Sequence, residues 1–269
     1  MTNPLEELVG DLEAEQAALE AVLVAMPAAA WGLPTHAPGW LVRDQVAHLA
    51  TFDEAAEFAI RDPEAFAAGA RSTNDDASSF EAAYLARGRA LPAPKLLAWW
   101  QEASSSLVAA ARTVDPKARL PWYGPPMSGV SFITARLMEC WSHGLDVVDV
   151  VDLPRPDSAR LRHVAFIGVR ARPFSYDING KQMPAVPIFV QLSGPTGETW
   201  TFGEEDGADR VTGSATDFCR VVTQRRHIAD TRLVVEGEAA REWMGIAQAF
   251  AGPPGRGRQP GEFPREGSS

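Results

Sequence analysis

Residues 135–149 read Ala-Arg-Leu-Met-Glu-Cys-Trp-Ser-His-Gly-Leu-Asp-Val-Val-Asp, and few folds can hold such a stretch. At ~100° per residue, Glu139, His143 and Asp146 share one narrow helix face, while Met138, Trp141, Leu145 and Val148 are free to face a core. Two carboxylates and an imidazole on one stripe of so apolar a helix are costly to bury unless each finds a partner. A divalent cation is such a partner. A second apolar segment, Val46-Ala-His-Leu49, offers a further imidazole from His48.

Most of the first half reads as helix. Leu5, Leu8, Val9, Leu12, Leu19, Val22 and Leu23 keep a helical period that Pro27 ends. The Gly and Pro breakers between Trp31 and Trp40 predict a loop with two aromatic anchors, and a second helix is expected over residues 41–60 with His48 at its middle. Residues 63–76 look like a polar, Ala/Gly-rich connection. Further helices are expected over 77–89, 94–114 and 130–151, and the Pro/Gly-rich loop 115–129 carries Trp122-Tyr123 as a wall over a pocket.

The character changes after residue 152. A helix over 158–170 precedes a hairpin signal at 186–192 and 199–202, then a strand at 209–213, a helix from Ser214 to about Arg226, a strand at 232–236 and a helix over 238–250. The expected architecture is therefore a multi-domain α and α+β chain, with a helical bundle over 1–152 and a small α+β domain over 153–252. Residues 253–269 contain four Gly and four Pro and read as a disordered tail.

With a formal net charge of −10, the chain offers no basic excess for a nucleic-acid or anionic-membrane partner. No apolar run is long enough to span a bilayer, and the N-terminus lacks a signal-peptide pattern. The two cysteines, Cys140 and Cys219, show no metal-ribbon or disulfide spacing and read as buried core thiols, which fits a reducing cytoplasm. No feature fixes an oligomeric state. A small-molecule substrate is the expected partner.

A Glu-x-x-x-His pair by itself is common on solvated faces. Here Glu139 and His143 sit in an apolar helix, as does His48, and two imidazoles with one carboxylate leave a coordination position open, as in a working metal site. The ligand types permit zinc, nickel, manganese or ferrous iron, with zinc preferred. Asp146 could orient a ligand, hold a bound water or act as a general base, or simply pair at the surface. Asp44 and Asp53 read as solvated groups or as partners that orient a ligand. His36, His163 and His227 have weaker claims. Arg225 and Arg226 could clamp a substrate carboxylate bidentately or complement a helix C-terminus.

Residues 35–49, Thr-His-Ala-Pro-Gly-Trp-Leu-Val-Arg-Asp-Gln-Val-Ala-His-Leu, resemble the Pro-x-Trp-x-x-x-Asp-x-x-x-His-Leu signature of the DinB-like, mycothiol-dependent maleylpyruvate isomerase family. Residues 139–146 resemble its Glu-x-x-x-His-x-x-Asp segment. The resemblance implies a DinB-like bundle with His48, Glu139 and His143 as metal ligands and Asp146 as an acid near the active site. The second domain resembles the family's sterol-carrier-like module, in which a Gly-x-x-x-Asp helix ends in Gly-Arg with a functional arginine. This chain has Gln224-Arg225-Arg226 there, so either arginine is a candidate.

The reading that follows is a metalloenzyme in which the metal holds mycothiol or a similar small thiol as a thiolate, for isomerisation or S-transfer on an electrophilic, carboxylate-bearing substrate. Two alternatives stand beside it. One is a thiol-independent hydrolase or cyclase-like tailoring enzyme that activates water; the other is a non-catalytic protein whose second domain carries an apolar ligand.

Overall fold

Along the chain run α1 (Pro4–Ala25), α2 (Val42–Arg61), α3 (Pro63–Asp75), α4 (Ala77–Ala90), α5 (Ala93–Ala111), β1 (Arg119–Leu120), β2 (Met127–Ser128) and α6 (Gly129–Val148). These belong to a first compact unit ending at Arg155. A second unit, from Pro156, contains α7 (Leu161–Arg170), α8 (Arg172–Ile178), β3 (Ile188–Ser193), β4 (Thr199–Phe202), β5 (Asp209–Ser214), α9 (Ala215–Val222), β6 (Val234–Glu236) and α10 (Glu238–Ile246). This computed structural model describes residues 4–151 and 153–263. Among them, no helix is long and apolar enough to cross a membrane.

In the first unit α2 is the hub, packed against α3, α4, α5 and α6, while α6 also lies along α1. Val42, Val46, Leu49 and Ala50 of α2 share one core with Leu19 and Leu23 of α1, Leu96 and Trp100 of α5, and Cys140 and Val147 of α6. Each fully buried Leu or Val there contributes about 1.5–3 kcal/mol relative to exposure. Gly88 lets α4 approach α2 closely, because a Cβ at that position would run into the Ala47 methyl. From Phe132 to Val147, α6 is buried on nearly every side, as its apolar composition requires.

Residues 63–75 form a helix where the sequence suggests only a connection. Asp62 caps it, its Oδ1 accepting the Ala65 N–H at 3.0 Å, and Pro63 takes the first turn, where no N–H is needed. Phe66 and Ala70 are its buried contacts, and Phe66 is the one large apolar residue in an otherwise polar, Ala/Gly-rich stretch.

The second unit is α+β. Its sheet has the order β4-β3-β5-β6, with β3 and β5 parallel and the other pairs antiparallel. Val190, Leu192 and Val211 of the sheet are buried, as are Phe218 and Val222 of α9, which packs on β3, β5 and α7. Two expected helices end earlier than their sequence pattern. The one begun at Ser214 stops at Val222 instead of Arg226, because Gln224 adopts a left-handed φ of 57° just beyond it. The last stops at Ile246 and not at residue 250. The segment α8 was not expected at all.

The tail expectation covers residues 253–269, of which 264–269 lie outside the described residues. Residues 253–263 carry no helix or strand, and the Gly261 and Phe263 N–H groups donate to the Asp230 carboxylate.

Candidate metal centre

The entry to α2 sets the position of His48. Leu41 is extended and its N–H donates to Asp44 Oδ2 at 2.8 Å, closing the first turn. Asp44 is fully buried and also receives the Arg89 guanidinium from α4, Nε to Oδ1 at 3.0 Å and Nη2 to Oδ2 at 2.7 Å. Arg89 further donates to the Gly39 carbonyl, so one carboxylate ties loop, α2 and α4 together one turn before His48. Asp44 is therefore a buried structural anchor, not a solvated group. The loop it fastens turns at Gly39 (φ 80°) and sets Trp40 against both imidazoles, stacked with His143 at 18° and 6.0 Å and tilted to His48 at 5.4 Å.

Helix α6 starts from Ser128, whose Oγ accepts the Ser131 N–H, and carries Glu139 and His143 to face α2. Glu139 Oε2 lies 3.0 Å from His143 Nε2 and 3.7 Å from His48 Nε2. One donor atom from each of the three residues lies within 4.8 Å of the others. Donors held at ~2.1 Å from a tetrahedral zinc are themselves about 3.4 Å apart, so the set needs little movement to close on an ion. The His48 and Glu139 side chains are 16% and 17% exposed, which leaves the cluster reachable from solvent.

Hydrogen bonds on the opposite ring edges aim both imidazoles. Thr35 Oγ1 donates to the Trp40 carbonyl and accepts from Gln45 Nε2 at 3.0 Å, which turns Gln45 Oε1 toward His143 Nδ1 at 2.6 Å. In this network Nδ1 carries the His143 proton, and the Nε2 lone pair points at Glu139. His48 follows the same plan, with Nδ1 3.3 Å from the buried Tyr84 hydroxyl. Burial, followed by the neighbouring His143, lowers the His48 pKa to about 3, so its ring is neutral. A carboxylate faced by the Nε2 atoms of two imidazoles is a donor set suited to a cation.

Aromatic rings wall the cluster. Phe52 lies 4.4 Å from the His48 ring and edge-on to Tyr84 and Tyr123. Trp122 stacks on Phe66 at 6° and 5.7 Å, so the loop expected to form a wall does so through α3. Beneath the wall, Asp53 meets Arg136 of α6 at 2.8 Å, both side chains 4% exposed. Burial raises the Asp53 pKa against the pull of Arg136. Asp53 is thus half of a buried ion pair and not a solvated residue.

The other sequence candidates are not members of this three-residue cluster. Asp146 is buried with Oδ2 3.9 Å from His143 Nδ1, on the ring edge opposite the Glu139 side. Arg225 and Arg226 belong to the second unit; Arg225 Nη1 donates to the Thr223 carbonyl, and Arg226 lies over the Phe263 ring at 3.7 Å. His36 is exposed, and His227 caps a short 3-10 turn by accepting the Ala229 N–H. The sequence did not single out Gln45 or Tyr84. Gln45 sits one turn before His48, which is its only signal; Tyr84 on α4 gives none.

Residues 12–148, just over half of the chain and the span that includes all three clustered residues, match the family model of the mycothiol maleylpyruvate isomerase N-terminal domain. The chain belongs to this family. An uncharacterised protein found in two strains of Mycobacterium tuberculosis is 43% identical over 250 residues, covering 93% of this chain and 97% of its own. Among solved structures, the mycothiol-dependent maleylpyruvate isomerase aligns with a TM-score of 0.55 at 16% identity, over 84% of this chain and 93% of that one. A histidine-to-alanine mutant of that isomerase gives 0.54. The mycothiol maleylpyruvate isomerase fold therefore extends through the α+β unit as well as the helical one.

Proposed function

We propose that this chain is a metal-dependent enzyme that uses a small thiol of the mycothiol type for isomerisation or S-transfer on a small, electrophilic, carboxylate-bearing substrate. The observation that carries this reading is the convergence of His48 Nε2, His143 Nε2 and Glu139 Oε2 within a family named for mycothiol-dependent isomerisation. The family favours a thiol over the activated water of a hydrolase. A divalent cation held by these three groups, with zinc the best match to two imidazoles and one carboxylate, would keep a thiol sulfur in its nucleophilic thiolate form near neutral pH.

The chain's own residues then do four things. Gln45 and Tyr84 hold the two imidazoles with their Nε2 atoms facing Glu139. Trp40 and Phe52 line the rings with apolar surface and keep water from surrounding them. Asp146 acts through His143 as a positioning residue, its carboxylate favouring the proton on Nδ1. Arg225 takes the place of the arginine in the family's Gly-Arg pair, because Gln224 before it holds the left-handed conformation that a glycine would supply. Its guanidinium has the planar fork that recognises a substrate carboxylate.

Elemental analysis of the purified protein, followed by assay with maleylpyruvate and mycothiol, tests the reading. Roughly one divalent ion per chain is expected, with conversion that needs the thiol and is lost on chelation and in His48→Ala. Conversion that survives both treatments, or that proceeds equally without thiol, overturns it.

A further inference from the structure

Within the second unit, the end of α9, the end of α10 and residues 254–258 enclose a cavity of about 100 Å³. Three guanidinium-bearing residues line it, Arg226, Arg256 and Arg258, together with His227, and none of its lining residues is Asp or Glu. In a chain of net charge −10, such a one-signed lining is not what the average surface would provide. We infer that this cavity is a binding site for a small oxyanion, a phosphate or carboxylate group, which the folded-back segment 254–258 completes.

The walls are built and not merely juxtaposed. Gln224 Nε2 donates to the Ala247 carbonyl at 3.2 Å and to Gln248 Oε1 at 3.3 Å. Gln248, 1% exposed, is fixed in turn by Ser175, which accepts its N–H at 3.0 Å, and by the Phe250 and Gly252 carbonyls, which accept from its Nε2. His227 Nδ1 accepts the Ala229 N–H, so in the neutral ring the proton sits on Nε2 and is a donor. Arg226 is held over Phe263 while its Nη1 donates to the Arg225 carbonyl. The segment is turned back by left-handed Gly257 and Gly261 and pinned where Gly261 N–H meets Asp230. Planar guanidiniums from two separate segments suit an acceptor with several oxygens, and the volume admits a single such group but no extended ligand. Arg226 thereby has a role apart from its neighbour Arg225.

Calorimetric titration of the full-length protein with inorganic phosphate and, separately, with acetate, at ionic strength matched by chloride, tests the site. Saturable binding with about one site per chain is expected for at least one of the two probes, weakened about tenfold or more in Arg256→Gln and in Arg258→Gln. Both residues lie outside every helix and strand, so each variant should keep its fold, which circular dichroism checks. A phosphate-only response assigns a phosphoryl ligand; an acetate response assigns a carboxylate. Absence of saturable binding by either probe, or binding equal in wild type and both variants, overturns the inference. Metal content and thiol-dependent conversion are separate readouts, so failure here leaves the proposed activity standing.

Discussion

His143 Nδ1 lies 2.6 Å from Gln45 Oε1, a bond that joins α6 to α2 across 98 positions of sequence. It is the shortest of the contacts to either clustered imidazole and the one that decides which nitrogen faces Glu139. Gln45→Leu should therefore weaken divalent-metal affinity about 10–100-fold, measured by competition with a chromogenic chelator, while the helical circular dichroism is retained. Tyr84→Phe should do less, since the bond it removes is longer, at 3.3 Å. Unchanged affinity in Gln45→Leu would show that packing against Trp40 and the Asp146 carboxylate aim the imidazole without it.

The contrast between these residues explains what the sequence reveals. His48, Glu139 and His143 were legible because helical spacing placed ionisable groups among apolar neighbours, where burial without a partner is costly. Gln45 and Tyr84 were not, because the ability to accept one hydrogen bond leaves no periodic trace. The two-part architecture was legible from the switch in periodicity near residue 153, whereas α3 was hidden by an Ala/Gly-rich sequence whose one large apolar residue is Phe66. The end of α9 was misread for a related reason: the expected stop signal is a glycine, and Gln224 takes up the left-handed conformation instead.

Asp53 and Arg136 form a buried ion pair under the aromatic wall, and such pairs are expensive to break from one side. Arg136→Met should destabilise the protein by about 3–5 kcal/mol in urea unfolding, because it strands a buried carboxylate. Adding Asp53→Leu should recover most of that loss. If the double variant is as unstable as the single one, the pair matters for packing around Trp122 more than for charge.

Both cysteines, Cys140 and Cys219, are enclosed, and burial pushes each thiol above its ordinary pKa. Neither should react with an aromatic disulfide reagent in the native protein at neutral pH, and both should react on unfolding in guanidinium. Rapid native modification of Cys140 would place it in solvent and contradict its enclosed position on α6.

Gly144 follows His143 on α6, and a Cβ there would run into the Arg155 guanidinium. Helix propensity favours Gly144→Ala by about 1 kcal/mol, so a view limited to the helix expects stabilisation. Packing says otherwise. Arg155 donates from Nη1 to the Trp141 carbonyl at 2.9 Å and from Nη2 to Glu15 Oε1 at 2.5 Å, with both side chains of the pair 5% exposed. Overpacking costs about 1–3 kcal/mol, and separating the buried pair brings the loss toward about 3–5 kcal/mol, so the unfavourable effect wins. Gly144→Ala should lower the Tm, and Arg155→Ala added to it should bring no comparable further loss, since the pair is already displaced. Metal affinity of the folded fraction should stay near wild type, because Arg155 contacts α1 and the α6 backbone and none of the three clustered side chains. A raised Tm in Gly144→Ala would mean that Arg155 moves aside freely and that the ion pair with Glu15 contributes little.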